Sequence, residues 1–214
     1  GAAGDLAVST LNSAAAGDYV LAIEGGIPTA FGGTTCMLWT EPDGHDVTAM
    51  EAVSWLAPGA LAVLSIGTCA SYGGIPKGDP NPTGIVSVGD FTGLPVINIP
   101  GCPTHPDWIA WTVAQFLAGA PIELDNQRRP RQFFSKKIHE NCPYKERQEA
   151  HSFGQHNTCL QELGCKGEET SSDCYLRKWN GGTSWCMEAG SICLGCTESR
   201  FPDGFSPFYE KWDD

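Results

Sequence analysis

The chain is 214 residues long and carries 25 acidic against 13 basic side chains, a net charge of −12. That balance argues against a nucleic-acid partner, and no apolar run is long enough to span a bilayer as a helix. The length admits one large domain or two small ones.

Gly1 to Ala16 is small and alanine-rich, and reads as the end of a helix capped by Gly17. A start in mid-element implies that part of a domain lies upstream. Three apolar runs of strand length follow, Tyr19–Ile23, Leu61–Ile66 and Pro95–Ile99. They do not alternate polar with apolar, so both faces are expected to be covered, as in a parallel sheet. Between them, Asp46–Leu56 and Asp107–Leu117 read as helices, each with an aspartate near its start.

The segments after the three strands are rich in glycine and proline: Glu24-Gly-Gly-Ile-Pro-Thr, Gly67-Thr-Cys69-Ala-Ser-Tyr-Gly-Gly and Pro100-Gly-Cys102-Pro-Thr-His-Pro. Open parallel sheets bind ligands beyond the carboxyl ends of their strands, and glycine lets backbone approach a bulky ligand. Cys69 and Cys102 at matched loop positions are therefore candidate ligands, weighed against the bland role of small buried hydrophobes.

Near Asn126 the composition changes. Residues 1–125 carry one lysine and twelve acids, whereas residues 126–214 carry twelve basic and thirteen acidic residues. The second segment has no valine, two isoleucines and four leucines, yet holds seven of the ten cysteines. So little aliphatic surface is expected to fall short of the entropy of ordering the chain, about 1–2 kcal/mol per residue, so cross-links must contribute. His139-Glu-Asn-Cys142 and Cys193-Leu-Gly-Cys196 let side chains converge on one ion or cluster, which favours metal or iron–sulfur binding over disulfides. Ligand count alone does not separate zinc from iron–sulfur. Seven basic residues from Arg128 to Arg147 read as a solvated face, with a docking patch for an electron-transfer partner as the sharper alternative.

GTCASYGG, PGCPTHP, IHENCPY, CLQELGCKG and WNGGTSWCMEAGSICLGC, together with EGGIPT, resemble in content and order the small, electron-transferring subunit of nickel–iron hydrogenases. The resemblance covers nearly the whole chain. It implies an α/β fold: an incomplete flavodoxin-like parallel sheet over residues 1–125, then an irregular cluster-binding domain, poor in regular structure, over residues 126–214.

The family pattern implies three iron–sulfur clusters. Cys69 and Cys102 match two ligands of an inner cluster, completed by ligands outside this chain. His139, Cys142, Cys159 and Cys165 match an outer cluster. Cys174, Cys193 and Cys196 match the middle one. Many relatives have proline where this chain has Cys186; a fourth thiolate there implies that all three clusters are of the 4Fe–4S type, and resembles the nickel–iron–selenium subgroup. Cys36 is left over and is expected to be a packed thiol. His105 is expected to bond a cluster or partner or to play a structural part, and Glu24 to orient a loop or relay protons. His151 and His156 are expected at the surface.

Further implications are a heterodimer with a large subunit bearing the nickel–iron centre, a redox carrier such as a c-type cytochrome, scope for peripheral membrane association, and a periplasmic location. The rival readings are a quinone-reductase-type iron–sulfur subunit, whose resemblance would stop near Asn126, and a disulfide-stapled secreted binding domain.

Overall fold

The computed structural model describes residues 2–211. The chain forms two compact units, dividing between Ile99 and Pro100.

The first unit is built on a parallel three-stranded sheet. Ala62–Ile66 is the central strand, flanked by Val20–Glu24 and Val96–Ile99. Each strand begins one residue later than the apolar pattern suggests. Val63, Leu64 and Ser65 are buried in the central strand, as expected when both faces are covered. Ile27, Val53, Ala57, Ala70, Val88 and Val96 close the core around Val63.

The N-terminal helix spans Gly4–Ala15 and ends with Gly17 N–H bonded to the Ala14 carbonyl. The second helix is Ala49–Leu56, shorter than expected. Its start is set by Thr48, whose hydroxyl accepts from Glu51 N–H at 3.2 Å while the Glu51 carboxylate accepts from Thr48 N–H at 2.8 Å. Asp46 is not its opening residue. Asp46–Thr48 is a strand paired antiparallel to Met37–Thr40, and the Asp46 carboxylate accepts from the Thr40 hydroxyl at 2.6 Å.

The second unit opens with the helix Pro106–Leu117, capped by His105. Beyond it, regular structure shrinks to one-turn helices such as Arg131–Phe134, Ile138–Asn141 and Cys174–Arg177, with isolated bridges. Its core is aromatic. Trp108 meets Phe134 at 5.0 Å and Trp111 meets Phe133 at 5.1 Å between ring centroids, both edge-on. That packing draws the helix to the second unit, ahead of the compositional break at Asn126.

Arg129 corrects the reading of the basic run as a solvated face. It is 4% exposed and donates to Asp125 Oδ2 at 2.8 Å and Glu198 Oε1 at 3.1 Å. Glu198 in turn accepts from Ser171 N–H at 2.6 Å, and the Thr197 hydroxyl donates to the Ser171 carbonyl at 3.0 Å. A buried guanidinium thus ties three distant stretches together. No helix among the described residues is long and apolar enough to cross a membrane.

Candidate functional site

The ten cysteines all lie among the described residues, and no disulfide joins any of them.

His139, Cys142, Cys159 and Cys165 line one small pocket, together with Trp185 and Met187. His139 comes from the helix Ile138–Asn141, whose N-terminal turn is pinned by His139 N–H to the Gly167 carbonyl at 2.9 Å. The His139 amide therefore aligns the histidine with the segment carrying Cys165. Nδ1 of His139 stands 3.6 Å from the Glu168 carboxylate. Tyr144 N–H donates to Cys142 Sγ at 3.5 Å, and Cys193 N–H to Cys165 Sγ at 3.3 Å. Burial raises all three thiols, Cys165 to about 11.

Cys174, Cys186, Cys193 and Cys196 lie in the second unit. A charge on Cys186 would act on both Cys174 and Cys196; Cys196 also faces Cys102, and Cys193 faces Cys165 first and then Cys196. Burial pushes Cys174 up to about 11, Cys196 to about 12 and Cys193 well above the ordinary thiol range. Cys186 is exposed as a residue, yet burial of its sulfur still raises it. Cys102 N–H bonds the Cys196 sulfur. The Ser172 hydroxyl donates to Cys174 Sγ at 2.8 Å, and Cys193 Sγ donates to the Thr170 hydroxyl at 3.5 Å.

Cys69 lies in the short helix Gly67–Tyr72 that follows the central strand, and Cys102 follows Val96–Ile99 in the second unit. Two glycines crowd Cys69. A Cβ at Gly74, where φ is +56°, would sit 2.8 Å from its Sγ, and one at Gly26 would sit 3.1 Å from its carbonyl oxygen. Backbone packs that closely against Cys69 because neither glycine carries a side chain.

Among the described residues no three His, Cys, Asp or Glu side chains are arranged to hold one metal ion. Thiolates sharing a zinc at about 2.3 Å must lie within about 4 Å of one another, whereas cluster thiolates each bind a different iron. Trp185 adds a second test. It is 2% exposed, it lines the His139 pocket, and its indole Nε1–H has no acceptor. A buried donor left unsatisfied costs about 1–3 kcal/mol, and inorganic sulfur in the pocket would accept from it. Three thiols, one imidazole and an orphaned donor fit an iron–sulfur cluster.

The remaining candidates resolve simply. His105 is structural: it is 7% exposed, its Nδ1 accepts from Asp107 N–H at 3.1 Å, and Nε2–H donates to the Lys178 carbonyl at 2.7 Å. Glu24 is exposed at its strand end, and Cys36 is half-buried. His151 and His156 are exposed. Ser172, Thr170 and Trp185 are absent from the sequence reading. Their only advance signal is proximity to Cys174 and Cys186 in the chain, and serine or threonine beside a cysteine is commonplace.

Comparison with known proteins gives two family matches. Residues 134–209 match the C-terminal part of the NiFe/NiFeSe hydrogenase small subunit, and residues 4–116 match the NADH ubiquinone oxidoreductase 20 kDa subunit. The chain is 44% identical over 212 residues to the periplasmic [NiFeSe] hydrogenase small subunit of Desulfomicrobium baculatum, covering 90% of this chain and 67% of that protein. It is 37% identical over 220 residues to the periplasmic [NiFe] hydrogenase small subunit of Solidesulfovibrio fructosivorans, covering 98% and 68%. The oxidised recombinant [NiFeSe] hydrogenase of Desulfovibrio vulgaris Hildenborough superposes with a TM-score of 0.91 at 39% identity, over 98% of this chain and 82% of that one.

Proposed function

This chain belongs to the small-subunit family of NiFe and NiFeSe hydrogenases, the electron-transfer half of an enzyme acting on hydrogen, and on that basis we propose that it holds three 4Fe–4S clusters in series. Such clusters, when bound, accept and pass on single electrons.

The residues divide the work. Cys69 and Cys102 bind an inner cluster, completed by ligands outside this chain. Cys174, Cys186, Cys193 and Cys196 hold the middle one, and His139, Cys142, Cys159 and Cys165 the outer one. Residues 1–125 thus supply the inner thiols, and residues 126–214 the two complete ligand sets. The partner is the large subunit, which bears the nickel–iron centre where hydrogen is cleaved or formed.

The observation that carries this reading is the single pocket lined by His139, Cys142, Cys159 and Cys165 beside the orphaned Trp185 donor. Burial holds the thiols protonated on their own, so cluster binding must displace their protons, and iron gives the thiolates their compensating charge. A neutral imidazole at the outer end carries one negative charge fewer than a fourth thiolate, which favours the reduced state there. His139, whose side chain is 15% exposed, stands at the end proposed to meet an incoming carrier such as a c-type cytochrome.

Cys186, felt electrostatically by Cys174 and Cys196, supports a fourth thiolate at the middle cluster. Together with the higher identity to the selenium-type relative, it supports reading the chain as a member of the nickel–iron–selenium branch. The relatives' names support a periplasmic location, compatible with peripheral attachment to the membrane. The quinone-reductase reading accounts for residues 4–116 but leaves the matched segment 134–209 and its seven cysteines without a role. Metal analysis with electron paramagnetic resonance of the native complex tests the proposal: nickel together with three iron–sulfur signals supports it, and a colourless zinc protein refutes it.

A further inference from the structure

Ser172 is 1% exposed and stands two residues before Cys174. Its Oγ accepts from Cys174 N–H at 3.1 Å and lies 2.8 Å from Cys174 Sγ. With the oxygen already accepting from the amide, the hydroxyl proton is directed to sulfur. As a cluster ligand, Cys174 is a thiolate and can only accept, so the direction of this bond is fixed.

The hydroxyl does not depend on a ligand for its place. Ser172 N–H donates to the Lys136 carbonyl at 3.1 Å. On one side Ser171 is held through its N–H by Glu198, itself bonded to buried Arg129. One residue earlier, the Thr170 hydroxyl donates to the Lys166 carbonyl at 2.5 Å. Three consecutive residues are thus anchored to separate stretches, and the donor is aimed at the sulfur before any electron arrives.

An electron entering a cluster increases the negative charge on its sulfurs, so a donor aimed at one of them binds the reduced state more strongly than the oxidised. A fourth thiolate acts in the opposite sense, because added negative charge disfavours reduction. We propose that Ser172 is a potential-setting residue whose hydroxyl, donating to Cys174 sulfur, raises the reduction potential of the middle cluster and offsets the added charge of Cys186. The inference rests on the reading of Cys174 as a middle-cluster ligand.

The test is a redox titration, followed by electron paramagnetic resonance, on the intact complex with its large subunit. Parent, Ser172→Ala and Ser172→Thr are compared. At the parent's middle-cluster midpoint, the alanine variant should show a several-fold lower ratio of reduced to oxidised middle cluster. Its outer cluster should titrate as in the parent, and threonine, which keeps the hydroxyl, should restore the ratio. An unchanged midpoint in a fully loaded alanine variant overturns the proposal, as does a threonine variant that shifts as far as alanine. Loss of middle-cluster iron in the alanine variant would make Ser172 a folding residue and also overturn it. A parent without iron–sulfur signals would instead sink the functional reading on which the proposal stands.

Discussion

The backbone N–H of Cys193 donates to the Sγ of Cys165 over 3.3 Å, joining a proposed ligand of the middle set to a proposed ligand of the outer set. The neighbouring amide of Lys166 returns the connection, donating to the Cys193 carbonyl at 2.8 Å. The two segments are therefore held in register by one bond to a thiol sulfur and one wholly main-chain bond, and the second survives any side-chain substitution. Lys166, 2% exposed, is buried at this junction. In such an arrangement the spacing of two redox centres follows from the backbone, and their potentials follow from the side chains around each sulfur.

Replacing Cys186 by proline removes one thiolate and leaves Cys174, Cys193 and Cys196. The middle cluster should lose one iron and its potential should rise, because less negative charge surrounds the metal. The oxidised variant should give a three-iron resonance that the parent lacks, while hydrogen cleavage on the large subunit persists. A three-iron signal in undamaged parent protein would remove Cys186 from the ligand set.

Trp185→Phe keeps the aromatic volume and deletes the N–H that has no protein acceptor. If that donor serves outer-cluster sulfur, the variant should retain its iron and show a lower outer-cluster potential in a spectroscopic redox titration. An outer cluster that titrates as in the parent would assign the indole to packing alone.

Arg129→Met should be strongly destabilising, by about 3–5 kcal/mol, because it strands the buried carboxylates of Asp125 and Glu198. Denaturant unfolding monitored in the second unit reads the loss. A double variant that also neutralises Glu198 should recover part of it, and simple additivity of the two changes would contradict the coupling.

Much of the first unit is legible in the chain. The three parallel strands declare themselves because a strand covered on both faces reads as an unbroken apolar run; each starts one residue late, and the first also ends one residue late, at Glu24. The strand Asp46–Thr48 escapes notice because it is three residues long and its partner, Met37–Thr40, lies across a turn; periodicity cannot see so short an element. The cysteine spacing signals a metal-binding region but not its grouping. Nothing local says that Cys142 joins Cys159 and Cys165, and the family resemblance supplied that division. Arg129 looks like one more surface cation because the acid that buries it, Glu198, is 69 residues away. Counting aliphatic residues also understates the second unit, whose core rests on Trp108, Phe133, Phe134, Phe201 and Phe205.

That aromatic core sets a limit on what iron removal should do. Chelation should abolish amide protection around Ile138–Asn141 and Cys174–Arg177, whose one-turn helices carry the ligands, while the sheet strands Val20–Glu24, Ala62–Ile66 and Val96–Ile99 stay protected. Hydrogen exchange resolved by segment checks this. Equal protection of all these segments before and after chelation would show that the ligand loops need no metal to fold.

The most direct test of the whole account is the metal content of the native complex, purified without oxygen and measured beside its resonance spectrum. Three four-iron clusters predict about twelve cluster irons for each nickel, with every cluster reducible. Zinc in place of iron, or iron for only one or two clusters in undamaged complex, would contradict it.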